Sequence, residues 1–513
     1  MRWKTSTHRV REKAVAEGLR RASKFYVFLW SIREELFNDA FQDELIAAYD
    51  PRGQEPCPPA MLAMVNLLQR YSGLSDAAAV DEAENDQRWR LVLGTLGKKR
   101  APFGQGSLVR FRARAVEHDL DRKLVDRTVE LAKATKTFDW RKLRVAFDSS
   151  PLEGAGRVED TWNLIGRAMS KVVNAVAKAT DVDEATVIEK AGLKVLMAPS
   201  VKAALDIDWG DPDERHEALQ QLVGEAERLE AWVLKRLAER ATKPPVSDAL
   251  ELLRRVVGQD LEPDPEGGGR RIREGVAHDR VISIGDPEMR HGRKSKSKSI
   301  NGFKRHIVIA NRIILGTAVE PANQSEGKPT GRLLDAARRH GSIEAAHFDR
   351  GYLRAPEIAE LWREGVELGS RTYRSADGVI GKEHFKLQLD DGIAICPAGK
   401  LALISTKSNI AYFKEADCGR CPLKAQCTKA KRRVVNIHPN ERMLMDIRKK
   451  HATKKGRLSY RERTVVEHRL GRIDAIQGSK ARYKGTRKNE LDLRRAAAIA
   501  NLQEVSRTRE AAA

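Results

Sequence analysis

Apolar residues recur at helical spacing through the first quarter of the chain. Pro58 and Pro59 precede an apolar run that stops at Gly73, a pattern that predicts a helix with proline at its start and glycine after its end. Ser107 is placed to cap a second helix, whose apolar residues form one stripe. We therefore expect an α-helical N-terminal domain over residues 1–137.

The pattern changes at Leu143, where LRVAFDSSP predicts a short β-strand that should stop before Pro151. Helical spacing returns from residue 157 and is most regular between Leu219 and Leu237. The breaker-rich stretch EPDPEGGG should close this helical unit as a linker. The chain thus predicts one strand followed by a helical insertion.

Two further β-type runs, at 303–310 and 312–319, lie too close together for anything but a hairpin. After them the pattern alternates between helix and strand, at 331–340, 344–349, 355–365 and 366–370. Without the insertion, this order predicts a mixed sheet with flanking helices, an α/β core. The expected parts in order are the N-terminal domain (1–137), the first core strand (138–156), the helical insertion (157–270), the second part of the core (271–370), a Cys-rich insertion (371–455) and C-terminal core helices (456–513).

Charge and composition exclude several classes of protein. The 513 residues include 94 Lys and Arg against 72 Asp and Glu, a net charge of +22. This excess favours a polyanionic partner, either nucleic acid or an acidic membrane surface. No apolar run approaches the roughly 20 residues of a membrane span, and the N-terminus lacks the apolar core of a signal peptide. Five Cys are too few for a disulfide framework and indicate a reducing compartment, so we expect a cytoplasmic protein without a membrane partner.

The positive charge is clustered in three tracts, at 290–305, 429–455 and 480–488. One tract alone is equally well explained by a solvated loop, but three favour phosphate binding. The N-terminal domain is then either a module that binds DNA ends or a plain helical bundle. Tyr460 and Tyr483 are placed to stack on unpaired bases. The candidate DNA contacts in the first tract are Lys294, Lys296, Lys298, Lys304 and Arg305.

Two aspartates occupy equivalent places in the predicted sheet. Asp148 and Asp349 each follow an apolar strand whose last residue is Phe, so both carboxylates should emerge at a sheet edge. A lone Asp at a strand end is usually a turn residue or a helix cap. Two such acids in one core instead suit two hard cations, which need carboxylates from separate elements.

A third acid comes from the C-terminal part of the chain. Tyr460, Arg463 and Glu467 fall at i, i+3 and i+7, on one face of a single predicted helix. Glu467 could complete a metal site while Arg463 and Tyr460 reach a neighbouring phosphate. Taken alone, a glutamate on so polar a helix is most often a solvated surface acid. Glu462 faces elsewhere and is the weaker candidate.

The cysteines form a second group of candidate ligands. Cys418 and Cys421 form a C-x2-C pair, with Cys396 before them and Cys427 after. Four thiolates at this spacing suit one structural Zn²⁺ in tetrahedral coordination. The alternative is four reduced thiols without a metal.

Together these features resemble the bacterial insertion-sequence transposases of the DDE type, whose catalytic domain is similar to ribonuclease H. Tyr460-x2-Arg463-x3-Glu467 matches the signature around the family's catalytic glutamate. GTAVEPANQSE and FDRGY resemble the turn before its second aspartate and the strand that carries it. The Cys group resembles one found in many relatives. PCPPAMLAMVNLLQRYSGLSD resembles the helical leader of the family, and the C-terminal GRIDAIQGSKARYKG resembles its closing helices.

The resemblance implies that Asp148, Asp349 and Glu467 are catalytic and bind two Mg²⁺ or Mn²⁺ ions. It implies a DNA transposase that binds the terminal inverted repeats of its own element, cleaves DNA strands and transfers them to target DNA. The expected partners are double-stranded DNA, as element ends and as target, and a second copy of the chain in at least a dimer on DNA. Such a protein would work in the cytoplasm at the nucleoid.

Two features depart from the family. A basic residue usually follows the catalytic glutamate by seven positions, where this chain has Asp474, so Arg472 or Lys480 would have to contact the phosphate instead. The helical insertion also separates the two aspartates. Two alternatives therefore stay open: a transposase-derived DNA-binding protein without catalysis, and a ribonuclease H-like nuclease.

Overall fold

A computed structural model describes residues 1–4, 9–19, 23–50, 52, 55–136, 139–265, 268–294 and 297–512. The N-terminal part is helical, as expected. The predicted helix after Pro58 is present and ends before Gly73, whose φ of 72° is a left-handed conformation that favours glycine. Its helices are α1 (Arg9–Gly18), α2 (Lys24–Leu36), α3 (Asp39–Ile46), α4 (Pro59–Ser72), α5 (Asp76–Asn85), α6 (Gln87–Leu93), α7 (Gln105–Glu117) and α8 (Leu120–Lys133).

The first core strand leads into a helical region. The ends of the stretch EPDPEGGG, expected to be a linker, adjoin two short strands that pair antiparallel, with Glu262 and Pro263 inside the first of them; residues 266–267 lie outside the described residues. The elements are β1 (Lys142–Glu153), α9 (Thr161–Thr180), α10 (Glu184–Ala191), α11 (Val201–Leu205), α12 (Pro212–Leu237), α13 (Val246–Asp260), β2 (Leu261–Pro263) and β3 (Arg270–Ile272).

The rest of the core alternates between strands and helices, as its apolar pattern predicted. An additional edge strand, β4, was not predicted. The elements are β4 (Arg290–Arg293), β5 (Ser299–Ala310), β6 (Ile313–Pro321), α14 (Thr330–Arg338), β7 (Ser342–Phe348), α15 (Pro356–Arg363) and β8 (Glu367–Gly369).

Short strands and helices follow in the Cys-rich region, and longer helices complete the chain. These elements are β9 (Lys386–Gln388), β10 (Ile393–Ile395), β11 (Leu401–Leu403), β12 (Ile410–Tyr412), α16 (Glu415–Gly419), α17 (Lys424–Cys427), β13 (Val434–Asn436), α18 (Glu441–Ala452), α19 (Lys454–Arg461), α20 (Thr464–Gln477) and α21 (Thr486–Ala512).

A six-stranded mixed sheet forms the centre of the α/β core. β5 pairs antiparallel with β1 on one side and with β4 and β6 on the other. β1, β7 and β8 run parallel, and α14 and α15 supply the crossovers that parallel strands require. The strand order β6, β5, β1, β7, β8 therefore places β1 in the middle of the sheet.

The first strand is longer than the sequence predicted. β1 passes through Pro151 and ends at Glu153 instead of stopping before Pro151. β7 ends at Phe348, so beyond Phe147 β1 keeps only β5 as its partner in this sheet. Proline is tolerated there because the open side of the strand needs no backbone N–H.

Buried apolar side chains show how these parts are joined. One continuous cluster runs from the N-terminal helices through the central sheet to α20 and α21. The helical region between β1 and β4 has a cluster of its own, and a small third cluster lies in the Cys-rich region. The N-terminal helices thus share one interior with the sheet. No helix in the described part of the chain is both long enough and apolar enough to cross a membrane.

Candidate active site

Asp148 and Asp349 lie side by side because of the register between β1 and β7. Parallel pairing of these strands ends where Phe147 lies opposite Phe348, and the two rings stack with centroids 5.1 Å apart. The next residue of each strand is the aspartate. Asp148 is still inside β1, opposite Ile307 of β5, whereas Asp349 directly follows β7. Only one of the two predicted strand ends is a true end, yet the register brings both carboxylates to the same edge.

Glu467 reaches this edge from α20, whose buried side chains Val466, Leu470 and Ile473 pack into the core. The single helix predicted for the signature is divided, because Tyr460 belongs to α19 and Arg463 is the residue before α20. Arg463 keeps helical torsions, so the signature residues remain neighbours. The Arg463 Cζ atom lies 5.7 Å from the centroid of the Tyr460 ring.

One cleft of about 430 Å³ is lined by all three candidate acids. Lys294, Lys304 and Arg463 also line it, together with the carboxylates of Glu326 and Asp474. The structure therefore brings together three candidate acids that are up to 319 positions apart, from Asp148 to Glu467. A volume of this size lies within the range of small-molecule binding sites.

Arg463 stands between two of the acids. Its Nη1 donates to Oδ2 of Asp148 at 2.7 Å, and its Nη2 donates to Oε1 of Glu467 at 2.5 Å. Burial raises the pKa of Asp148, and Asp349 and Glu326 raise it further, while the Ser149 amide and Arg463 act to lower it. The cleft therefore concentrates negative charge that Arg463 partly neutralises.

Glu326 is an acid of this cleft that sequence reasoning missed. Its Oε1 accepts a hydrogen bond of 3.2 Å from Oγ of Ser149, the residue after Asp148. Its Oε2 lies against Gly351, where an added Cβ would be only 1.9 Å away. Glu326 thus contacts the chain just beyond both aspartates. The one available signal was its place in GTAVEPANQSE, the segment that resembles the turn before the second aspartate.

Buried aromatic groups lie in the core near the acids. The Tyr352 hydroxyl is 2.8 Å from Nδ1 of His306, and the Tyr352 ring meets Phe147 edge to face at 5.0 Å. Burial raises the pKa of Tyr352 well above its usual value, with Asp148 and Glu326 adding to the rise. Burial also lowers the pKa of His306 to about 3. Both groups are therefore neutral near pH 7.

The predicted DNA contacts of the first basic tract differ in their placement. Lys294 and Lys304 line the cleft, and Nζ of Lys304 donates to the Gln324 carbonyl at 2.9 Å. The Lys298 carbonyl accepts from the Lys294 amide at 2.9 Å across the turn between β4 and β5. Lys296 lies outside the described residues.

Arg305 was expected to contact phosphate, and the structure corrects this prediction. Its side chain is 1% exposed, and it donates to Oγ of Ser150 at 2.8 Å and to Oε1 of Gln477 at 2.9 Å. It also forms an ion pair with Asp474. A buried arginine needs such an anion, so Asp474 replaces the family's basic residue for a structural reason. Neither Arg472 nor Lys480 lines the cleft.

The donor set of the cleft fits a hard divalent cation. Carboxylate oxygens from β1, the end of β7, the β6–α14 loop and α20 converge there, and Mg²⁺ and Mn²⁺ prefer such ligands. Within the described ranges, no three His, Cys, Asp or Glu side chains are arranged to hold a metal ion. In the cleft, Arg463 lies between the carboxylates of Asp148 and Glu467.

The four cysteines of the predicted zinc group line one small apolar pocket. Burial raises the pKa of the Cys427 thiol; Arg433 lowers it, and the other three cysteines raise it. Backbone amides of Lys400 and Arg433 donate to the sulfurs of Cys396 and Cys418, at 3.3 and 3.4 Å. The four thiols are thus close enough to influence one another.

Two segments of the chain match known protein families. Residues 395–506 match the family described as "Transposase DDE domain", and residues 21–114 match "Transposase domain (DUF772)". The first segment contains Glu467 and the four cysteines but neither aspartate. No curated protein and no solved structure matches the chain.

The two matches indicate an insertion-sequence transposase of the DDE type. Transposases act on DNA, and the DDE type cleaves and joins it with divalent metal ions such as Mg²⁺.

Proposed function

We propose that this chain is an active DNA transposase that cleaves strands at the ends of its element and transfers them to target DNA. The observation that carries the proposal is the convergence of Asp148, Asp349 and Glu467 in one cleft. Glu467 lies in the segment that matches the DDE domain, and the aspartates come from outside it. The family match and the position of the aspartates therefore support the proposed function independently of each other.

A ribonuclease H-like core is part of the proposal. Three antiparallel strands, β6, β5 and β1, are followed in the sheet by the parallel strands β7 and β8. This mixed order supports the assignment, as does the position of the acids beside the central strand.

The chain's own residues explain how such a reaction would be supported. Bound Mg²⁺ or Mn²⁺, held by Asp148, Asp349 and Glu467, would activate the attacking oxygen and offset charge on the leaving oxygen. Lys294 and Lys304 would hold the scissile phosphate at the mouth of the cleft. Tyr352 places a neutral, buried hydroxyl in the core near Asp148 and Glu326. Arg463 would leave Asp148 and pair with a phosphate.

Asp474, which stands where the family usually has a basic residue, does not favour a protein without catalysis. Asp474 neutralises the buried guanidinium of Arg305, so its presence does not indicate a decayed site. Lys294 and Lys304, which also line the cleft, supply positive charge there.

We assign binding of the terminal inverted repeats to the N-terminal helices, residues 1–137. For the rest of the chain we propose the domain boundaries that the sequence predicted. The match of residues 21–114 to a transposase domain supports a role in transposition for this region. Because these helices share the core of the sheet, they would hold an element end in fixed geometry to the cleft. Pairing of two ends would require at least a dimer on DNA, and the working location would be the nucleoid.

Zinc is proposed for the Cys-rich region. Four thiols around one pocket, two of which accept amide hydrogen bonds, form a donor set that suits structural Zn²⁺. The region's own apolar cluster is small, so a cross-link between its loops would add stability.

The DNA that flanks the gene supplies the test of function. Purified protein is mixed with duplexes carrying those flanks in Mg²⁺, and strand breaks are mapped. Breaks at one repeated sequence on both flanks support the proposal. Cleavage without regard to sequence would indicate a nuclease, and specific binding without cleavage would indicate a DNA-binding protein.

A further inference from the structure

The edge of the sheet that carries the two aspartates also carries a third chain segment. β8 runs parallel to β7 and ends at Gly369, which pairs with His347, two residues before Asp349. The chain therefore leaves β8 on the same side as the acids, as ligand-binding segments of parallel strands do. Residues 370–375 follow in irregular conformation and include Tyr373.

Tyr373 is an exposed aromatic residue tied to this site. It is 56% exposed, so much of its ring is open to solvent. The Arg350 Cζ atom lies 5.0 Å from the centroid of its ring. Arg350 itself donates its backbone N–H to the carboxylate of Asp349 at 2.7 Å. Arg350 thus contacts both the Tyr373 ring and the candidate catalytic residue Asp349.

The tyrosines that the sequence singled out for stacking are already covered. Arg371, Arg463 and His451 contact the Tyr460 ring, at 5.5, 5.7 and 5.4 Å between the guanidinium carbon or imidazole ring and its centroid. Tyr483 accepts a hydrogen bond from Arg495, whose guanidinium also lies over its ring. Tyr373 has more ring surface available than either.

The charges around Tyr373 suit a nucleic acid strand. Arg350 and Arg371 are exposed, and neither forms an ion pair with a carboxylate in the part of the chain that the structure describes. Both remain available for phosphates. The bases of an intact duplex are stacked on one another, so a protein ring can stack only on a base that is unpaired.

We infer that Tyr373, held by Arg350, is a stacking site for an unpaired base of the DNA strand whose phosphate enters the cleft. The inference rests on the proposed function and adds that the bound DNA is locally unpaired. Every base can stack on a tyrosine ring, so this contact would recognise unpaired DNA whatever its sequence.

The test compares two DNA probes of arbitrary sequence, with EDTA present so that no cleavage occurs. One probe is a blunt duplex, and the other carries a single-stranded 3′ tail with 2-aminopurine at an unpaired position. We expect the wild-type protein to bind the tailed probe about tenfold more tightly and to quench its fluorescence, in line with the contribution of one stacked base. Tyr373→Ala should remove most of the preference and the quenching, and Tyr373→Trp should keep both.

Tyr412 provides a matched control. It is 45% exposed and lies 4.9 Å from an arginine, Arg432, but it belongs to β12 in the Cys-rich region. Tyr412→Ala should therefore leave the preference and the quenching unchanged. Melting temperatures of both alanine variants should match the wild type, because each ring is exposed.

The outcomes separate this inference from the proposed function. A wild-type protein that binds both probes equally, or a Tyr373→Ala variant that keeps the full preference, overturns the inference and leaves cleavage at element ends untouched. Loss of the preference in the Tyr412 variant as well would also overturn it. Failure of the wild-type protein to bind either probe would also overturn the inference, because stacking at Tyr373 does not depend on sequence, and would leave specific cleavage at element ends untouched.

Discussion

Arg463 donates a hydrogen bond of 2.7 Å to Asp148, a residue 315 positions earlier in the chain. The same guanidinium pairs with Glu467, so one side chain holds two candidate metal ligands together in the DNA-free protein. A cation bound by both carboxylates would have to displace it. A DNA phosphate offers the displaced arginine another partner, which would couple DNA binding to metal binding.

Substitution of Arg463 tests this coupling. Arg463→Gln should raise the affinity of the DNA-free protein for Mn²⁺ about tenfold, since a charged hydrogen bond contributes on the order of 1.5 kcal/mol. Electron paramagnetic resonance of Mn²⁺ titrations measures the change. The matched control is Arg472→Gln, because Arg472 also belongs to α20 but lies outside the cleft. Equal Mn²⁺ affinity in both variants and the wild type would contradict the coupling.

Glu326 should also contribute to cleavage, though less than the three predicted acids. Glu326→Gln removes one negative charge beside Asp148 and Asp349, so we expect cleavage to slow at least tenfold, with DNA binding retained. The control is Glu344→Gln, an identical change at an exposed position of β7. Cleavage rates of both variants and the wild type are compared under single-turnover conditions. A Glu326→Gln rate equal to that of the control would show that the cleft works without this carboxylate.

The basic residues of the cleft should control the salt dependence of DNA binding. Lys294→Ala and Lys304→Ala should each flatten the plot of log K against log salt by about one unit, because each lost phosphate contact releases one counterion fewer. Arg305→Ala should instead lower the melting temperature, because it leaves the Asp474 carboxylate and buried polar groups without their partner. Unchanged slopes for both lysine variants would show these side chains to be solvated.

Metal analysis tests the Cys-rich region. Protein purified without chelator should contain about one zinc per chain, held by Cys396, Cys418, Cys421 and Cys427. Cys421→Ser should release it and raise protease sensitivity between residues 371 and 455. Cys57→Ser, at a half-buried position among the N-terminal helices, should leave the zinc content unchanged. Zinc-free protein with all four thiols freely alkylated would contradict the proposal.

The apolar pattern predicted the elements of the core, because its strands are short, largely buried apolar runs and its helices carry an apolar stripe. The β5–β6 hairpin, α14, β7, α15 and β8 all occur close to their predicted limits. The extension of β1 through Pro151 was not predictable in this way, because it depends on where the neighbouring strand β7 stops. The break between α19 and α20 was also not predictable, because no proline or glycine marks it in the sequence.

The candidate site was only partly accessible from the sequence. Asp148 and Asp349 were found because each follows a Phe at the end of an apolar run, and the resemblance identified Glu467. Glu326 was missed because its role depends on contacts with Ser149 and Gly351, which no local pattern encodes. Arg305 was misplaced for a related reason: a basic tract shows its charge but not which of its residues points into the core.

Strand cleavage by three isosteric variants tests the central claim most directly. Asp148→Asn, Asp349→Asn and Glu467→Gln are compared with the wild type on one duplex from the gene's flank, in Mg²⁺. The same samples are assayed for DNA binding and for melting temperature. We predict that each variant binds the duplex at least as tightly as the wild type and stays folded, but cleaves it at least a hundredfold more slowly, because the site loses charge that the transition state needs. A folded, DNA-binding variant of any of the three that still cleaves at the wild-type rate would show that its carboxylate is not part of the catalytic site.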